Sequence, residues 1–180
     1  GDKKLVLLGE STHGTHEFYH WRSEISKRLI SDKGFAFIAV EGDWPSIYRL
    51  NDYVKGRSKP GTTAADVLRT FARWPQWMWA NRDIEALAEW LREFNKTRQE
   101  PDKIGLFGMD VYGQWEAMND LLALAGAYFP EWLPEIERRL NCFKEYDRDE
   151  WMYARATAHG GFSCEKELAE VLDIIQALKP

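Results

Sequence analysis

Three compact apolar runs divide the first two thirds of the chain, at residues 4–8, 35–40 and 104–109, and each gives way to a glycine or a carboxylate. Short uninterrupted runs of this kind, with β-branched residues among them, fit strands buried on both faces of a parallel sheet better than alternating edge strands. Between the first two runs, Phe18, Trp21, Ile25, Leu29 and Ile30 recur at near-helical spacing. Gly34 follows the last charged turn as a stop signal, so the pattern predicts a helix over residues 15–32. Residues 4–41 thus read as strand, helix and strand, a parallel pair joined by a right-handed crossover.

Past Trp44-Pro45, where proline suits a first helical turn, Ile47, Leu50, Asn51 and Val54 share one face and predict a second helix. Residues 55–62, Lys-Gly-Arg-Ser-Lys-Pro-Gly-Thr, are the clearest loop, a solvated connector expected to be mobile. Residues 63–71 and 82–94 are amphipathic and predict helices on either side of a tryptophan-rich turn that holds Trp74, Trp77 and Trp79. After the third apolar run, residues 115–128, 131–146, 147–159 and 164–178 all carry helical patterning. The expected fold is α/β: a small parallel sheet of about three strands with flanking helices, followed by a helical second half. We expect one domain over residues 1–180, with the motif-bearing α/β part at 1–112 and the helical part at 113–180. Three strands make a small sheet for so much apolar helix surface, and the chain starts at Gly1 almost directly before an apolar run. Both features predict a fragment of a longer protein.

Composition narrows the function classes. The 180 residues are 44% hydrophobic, enough for a substantial core. Twenty-nine acidic against 24 basic residues leave a net charge of −5 with no long run of either sign, which disfavours a nucleic-acid partner. No apolar window approaches the ~20 residues of a membrane span and no signal-peptide pattern opens the chain, so a cytoplasmic protein without a membrane partner is expected. Cys142 and Cys164 fit no metal-binding spacing and sit in helical patterning, which predicts buried free thiols.

The chemistry gathers where the apolar runs end, since parallel sheets place functional groups at strand carboxyl ends. The first end carries Gly-Glu-Ser-Thr-His-Gly at residues 9–14, the second Glu41, Gly42, Asp43 and Trp44, and the third Asp110 and Tyr112. His13, beside Thr12 and Gly14, suits proton transfer near neutral pH. A histidine base needs a carboxylate to fix its tautomer and stabilise the imidazolium, and Glu10 or Glu41 can serve. Arg22, on the first helix, can pair with one of these glutamates. His13, His16 and His20 also follow an i, i+3, i+7 pattern, so a divalent-metal hydrolase using His13, His16 and the strand-end carboxylates is an alternative. A non-catalytic module that binds a sugar or small polar ligand is another. Ser11 and Thr12 read as caps of the first helix and His159 as a helix carboxyl-terminal residue. Trp74, Trp77, Trp79 and Trp115 read either as core packing or as an apolar wall for a bulky substrate.

The residues at 9–18, Gly-Glu-Ser-Thr-His-Gly-Thr-His-Glu-Phe, together with Arg22, Gly-Phe-x-Phe-Ile-Ala-Val-Glu at 34–41 and Gly-Met-Asp-Val-Tyr at 108–112, resemble the erythromycin esterase family, which includes succinoglycan biosynthesis proteins. The resemblance implies a water-activating histidine at His13 supported by Glu10, Glu41 and Arg22. Thr12, Asp43, Trp44, Trp77, Asp110 and Tyr112 are expected toward the substrate. It implies metal-independent hydrolysis of a small-molecule ester or macrolide lactone with no cofactor, a reaction that inactivates a macrolide antibiotic. Family members are considerably longer, and a further active-site histidine in their later half has no counterpart here. The resemblance therefore implies that activity belongs to the longer protein. Self-association through apolar surface left open is the accompanying partner expectation.

Overall fold

The computed structural model describes residues 3–72, 75–110, 112–146 and 148–178. They form two compact units, Gly1–Val111 and Tyr112–Pro180. The first opens with an irregular segment that leads into helix α1 (His16–Lys33). Gly34 ends that helix as expected, with φ at 71° in the left-handed region where glycine carries no steric cost, and the N–H groups of Gly34 and Phe35 close on the carbonyls of Ile30 and Leu29.

Strand β1 (Phe37–Asp43) pairs in parallel with β2 (Gly105–Asp110), in a register that sets Phe37 against Gly105 and Val40 against Gly108. The crossover between them carries α2 (Trp44–Val54), α3 (Ala64–Leu68), a 3-10 turn (Gln76–Met78) and α4 (Arg82–Asn95). Helix α2 packs on both strands, and α4 packs on α1 and α2. Their apolar faces meet in one core that includes Ile47, Leu50, Val54, Leu87, Leu91 and Leu106. The ladder is irregular between Val40 and Asp43, so β1 bends at Glu41 and Gly42 and delivers Asp43 opposite Asp110. Gly108 permits that bend, because a Cβ there would collide with the Gly42 carbonyl.

Two parallel strands make a weak sheet alone, and here buried side-chain amides extend the ladder. Asn95, 1% exposed, donates to the carbonyls of Val54 at 3.0 Å and Ile104 at 2.9 Å and accepts from the Ile104 N–H at 2.8 Å. Asn51, equally buried, accepts from the Leu106 N–H at 3.0 Å. Together they bond the entry of β2 from α2 and α4, pairing backbone groups that would otherwise lie dry in the core.

The α/β class is observed, with two strands among the described residues instead of three. The correction falls on residues 4–8, which carry no strand, so the strand-helix-strand reading of residues 4–41 is replaced by the β1–β2 pair. Leu5 and Leu7 are 73% and 84% exposed. An apolar run sets a preference, whereas a strand also requires a neighbour to share its ladder, and residues 4–8 have none in this unit. The helix expected over residues 63–71 is shortened to α3, entered through a reciprocal capping box between Thr63 and Asp66. The capping role expected of Ser11 and Thr12 is also corrected: Thr15 is the N-cap of α1, and the Thr12 hydroxyl meets the Thr15 hydroxyl at 2.8 Å.

The second unit is helical, with α5 (Gln114–Tyr128), α6 (Leu133–Leu140), a 3-10 turn (Asn141–Tyr146), α7 (Glu150–Ala158) and α8 (Glu165–Ala177). Ile136, Leu140, Phe143, Tyr146 and Val171 form its core. His159 ends α7 as expected, its Nδ1 2.7 Å from the Arg155 carbonyl. The expectation of free thiols is overturned: Cys142 and Cys164 are joined as a disulfide, with Cα atoms 5.9 Å apart. The spacing of 22 residues holds no signal for this pairing, which arises because the fold lays the 3-10 turn beside the start of α8.

Replacing Asn95 with alanine strands three backbone groups in the core and is expected to destabilise the first unit by about 3 kcal/mol or more, since each dry unpaired group costs about 1–3 kcal/mol. Denaturant unfolding followed by tryptophan fluorescence measures this, and a loss below about 0.5 kcal/mol, the range of ordinary surface substitutions, would refute the role given to the amide.

Candidate active site

Glu10 is the junction of the amino-terminal loop. Its side chain is only 9% exposed, one carboxylate oxygen lies 2.6 Å from Arg22 Nη2, and the other lies 2.5 Å from His13 Nδ1. A carboxylate accepts hydrogen bonds and does not give them, so Nδ1 carries the proton and Nε2 is left with its lone pair. The His13 side chain is 45% exposed. Arg22 comes from the second turn of α1, which is why a residue twelve positions from Glu10 reaches it.

Arg22 is itself held by rings. Its guanidinium carbon lies 4.8 Å from the centroid of Tyr19 and 5.8 Å from that of Trp79, within the range of cation–π attraction. Tyr19, 3% exposed, sits one helical turn before Arg22 and accepts from the Gly14 N–H at 3.4 Å. Burial pushes the Tyr19 phenol above its ordinary range, and the Glu10 charge adds to the effect against the opposing backbone bond from Gly14, so the ring stays neutral at physiological pH. Gly14, with φ at 81°, presses on the ring of Trp77, which lies where a Cβ would go.

Glu41 meets this group through its backbone: the Trp79 indole N–H donates to the Glu41 carbonyl at 2.6 Å. Its carboxylate is on an exposed residue and makes no ion pair among the described residues. Asp43 and Asp110 face one another across the register at the strand ends, and Ser46 donates to Asp43 at 3.3 Å. Trp44, 48% exposed, stacks on Tyr48 and Phe107 with centroids 5.8 and 6.0 Å away, a half-open aromatic wall beside these carboxylates. Thr12 is exposed in the loop. Tyr112 belongs to the second unit, where its ring is 6.4 Å from that of Trp151. Trp74 lies outside the described residues, and Trp115 packs edge-on against Phe143 in the second core.

Among the described residues, no three or more histidine, cysteine, aspartate and glutamate side chains gather as a metal site. His13 turns to Glu10, and His16 turns instead to Asp83 at the start of α4, with Nδ1 2.8 Å from Oδ2. A recess of about 520 Å³ opens at the amino ends of the strands beside Gly34, Phe35 and residues 101–104, away from the carboxyl-end candidates. No described helix is long and apolar enough to cross a membrane. Sequence reasoning missed Tyr19 and Asp83 and the part Trp79 plays. The spacing of Tyr19 and Arg22 on one helix was a usable signal, whereas the 67 residues between His16 and Asp83 offer none.

The model of the erythromycin esterase family matches residues 30–180. That match begins within α1, after Glu10, His13 and Arg22. An erythromycin esterase type II of Escherichia coli is 26% identical over 192 residues, an alignment that takes in the whole of this chain and 43% of that protein. The chain therefore spans less than half the length of this relative. A Bacillus cereus protein of known crystal structure superposes with a TM-score of 0.61 at 23% identity, over 94% of this chain and 38% of that one. A succinoglycan biosynthesis protein superposes with a TM-score of 0.56 at 26% identity, over 77% of this chain and 32% of its own.

The His16–Asp83 pair carries a pH signature. The hydrogen bond and then the charge of Asp83 raise the His16 pKa above 6.5, with Glu17 adding a little against a small opposing effect of burial. The protonated form is favoured in the folded state, so what the pair contributes is fully present below about pH 6.5 and is lost as pH rises through the raised value. NMR titration of the imidazoles should find His16 above its ordinary range, and Asp83→Asn should return it there. An unmoved His16 in that variant would remove Asp83 as the cause.

Proposed function

The chain belongs to the erythromycin esterase family, and from that premise we propose a hydrolase of ester bonds in which His13 is the general base. The observation that carries this reading is the two-sided grip on Glu10. Arg22 holds one carboxylate oxygen at 2.6 Å and leaves the other, 2.5 Å from His13 Nδ1, to orient the imidazole. Nε2 then takes a proton from water while the water oxygen attacks the ester carbonyl carbon. The tetrahedral adduct collapses by breaking the bond to the alkoxy oxygen, which receives the proton back from the imidazolium. The products are a carboxylic acid and an alcohol, or a single hydroxy acid when the ester is a lactone. Glu10 stabilises the transient imidazolium, and Arg22 keeps Glu10 oriented and offsets its desolvation.

Glu41 is assigned a supporting role at the carboxyl end of β1, where its exposed carboxylate is available to water or substrate. The aromatic wall of Trp44, Tyr48 and Phe107, with Asp43 and Asp110 beside it, suits a substrate with a broad apolar face and several hydroxyl groups, and Thr12 and Trp77 are assigned to the same substrate. The E. coli relative is by name an erythromycin esterase, which makes macrolide lactones the first substrates to test.

In the full protein, His13→Ala is expected to lower ester or lactone turnover by about 10²–10⁴-fold, the usual contribution of a general base. Because His13 is half-exposed, the circular dichroism spectrum and melting temperature should stay near those of the unsubstituted protein. Turnover unchanged by His13→Ala, measured by mass spectrometry of the ring-opened product, would reject the assignment.

A further inference from the structure

Apart from the substrate contact proposed for Trp77, the tryptophan-rich turn takes no part in the proton transfers as written, yet its side chains reach both loops proposed to carry the chemistry. Trp77 lies on the face of Gly14 in the first loop, and Trp79 lies on Gly42 at the bend of β1. The Trp79 indole makes two separate contacts, one with its N–H to the Glu41 carbonyl at 2.6 Å and one with its ring to the Arg22 guanidinium at 5.8 Å. Tyr19 completes the clasp, meeting Trp79 edge to face at 6.0 Å and Arg22 at 4.8 Å.

We infer that Trp79 is a positioning residue for the proposed hydrolysis: it ties the carboxyl end of β1 to Arg22, and through Arg22 to the Glu10–His13 pair. The inference rests on the reading of His13 as the base.

The physical case has three parts. First, the loop before α1 has no ladder to hold it, since residues 4–15 form no regular element. Its position relative to β1 therefore depends on side chains, and Trp79 meets β1 on one side and, on the other, Tyr19 and Arg22 of α1, which in turn meet Gly14 and Glu10 of the loop. Second, the N–H has a specific acceptor, the carbonyl of Glu41, which lies in the bend where the register is irregular. Third, the space for the indole is cut to size. A Cβ at Gly42 would lie 3.0 Å from Trp79 Nε1 and 3.1 Å from Ile47 Cγ1, so a side chain there must push the indole or Ile47. Trp79 touches no reacting atom in this arrangement and acts through Arg22 and Glu41.

Two substitutions separate the two contacts. Trp79→Phe keeps a ring over Arg22 and deletes the donor to Glu41, whereas Trp79→Ala deletes both. In the full protein, Trp79→Phe should lower kcat about tenfold and Trp79→Ala about a hundredfold with KM little changed, the scale expected when a reacting group is displaced by about 1 Å. Gly42→Ala, which shifts the indole without altering any charged group, should resemble Trp79→Phe. The NMR titration of the His13 imidazole should move in Trp79→Ala and stay in place in Trp79→Phe, because only the first releases Arg22. A purely structural role predicts losses that follow the melting temperature across the three variants with the His13 titration unmoved, and that outcome overturns the inference. Wild-type kcat in all three does so too. His13→Ala keeps the two readings apart. If that variant still turns over ester, the hydrolase reading fails, and the role of Trp79 in that reaction fails with it. If His13→Ala is dead and Trp79→Ala is indistinguishable from wild type in rate and titration, the positioning role alone fails.

Discussion

Everything in the first unit hangs on how a sheet of two parallel strands is made to hold. A parallel pair shares one set of ladder bonds and buries little by itself. The deficit is met by the amides of Asn51 and Asn95, which reach out of α2 and α4 to bond the backbone at Ile104 and Leu106, and Asn95 also bonds Val54 at the end of α2. Their rigidity follows from burial: an amide 1% exposed cannot exchange its partners for water, so its geometry fixes where β2 starts relative to both helices. Once β2 is placed, the register with β1 sets Asp43 across from Asp110, and the contact of Gly108 with the Gly42 carbonyl accommodates the bend at Glu41.

A second arrangement, built on charge, sits on top of that frame. Glu10 is nearly buried and is bound on both oxygens, by Arg22 and by His13. An isolated buried carboxylate would be costly; one shared between a guanidinium and an imidazole is held in a single orientation. The aromatic residues Tyr19 and Trp79 do for Arg22 what the asparagines do for β2, taking a group that local chain geometry leaves free and giving it one position. Trp79 links the two arrangements, since its N–H is spent on β1 and its ring on the arginine.

Much of this was legible in the chain before folding. The helix at His16–Lys33 with its Gly34 stop, the helix after Trp44-Pro45 and the strands ending at Asp43 and Asp110 all follow from periodicity and stop signals, because those are properties of neighbouring residues. The members of the Glu10, His13 and Arg22 group were also visible, since a histidine loop with a carboxylate three residues away and an arginine one face along the next helix is a local pattern. The run at residues 4–8 looked identical to the two strands that formed. It differs in lacking a neighbour, which no local pattern records. The same reason accounts for the Cys142–Cys164 disulfide and the His16–Asp83 pair, which join residues 22 and 67 positions apart.

The sequence by itself determined most of the helical segments, the neighbourhood in which β1 and β2 end, and which residues of the amino-terminal loop are candidates for acid–base chemistry, since each depends on spacing along the chain. Tertiary structure decided which oxygen of Glu10 faces Arg22 and which faces His13, that Glu41 joins the group through its carbonyl, and that the tryptophan-rich turn clasps Arg22. Those choices depend on which side chains of distant segments are buried against one another. Packing settles that only once α1, α4 and the two strands share a core.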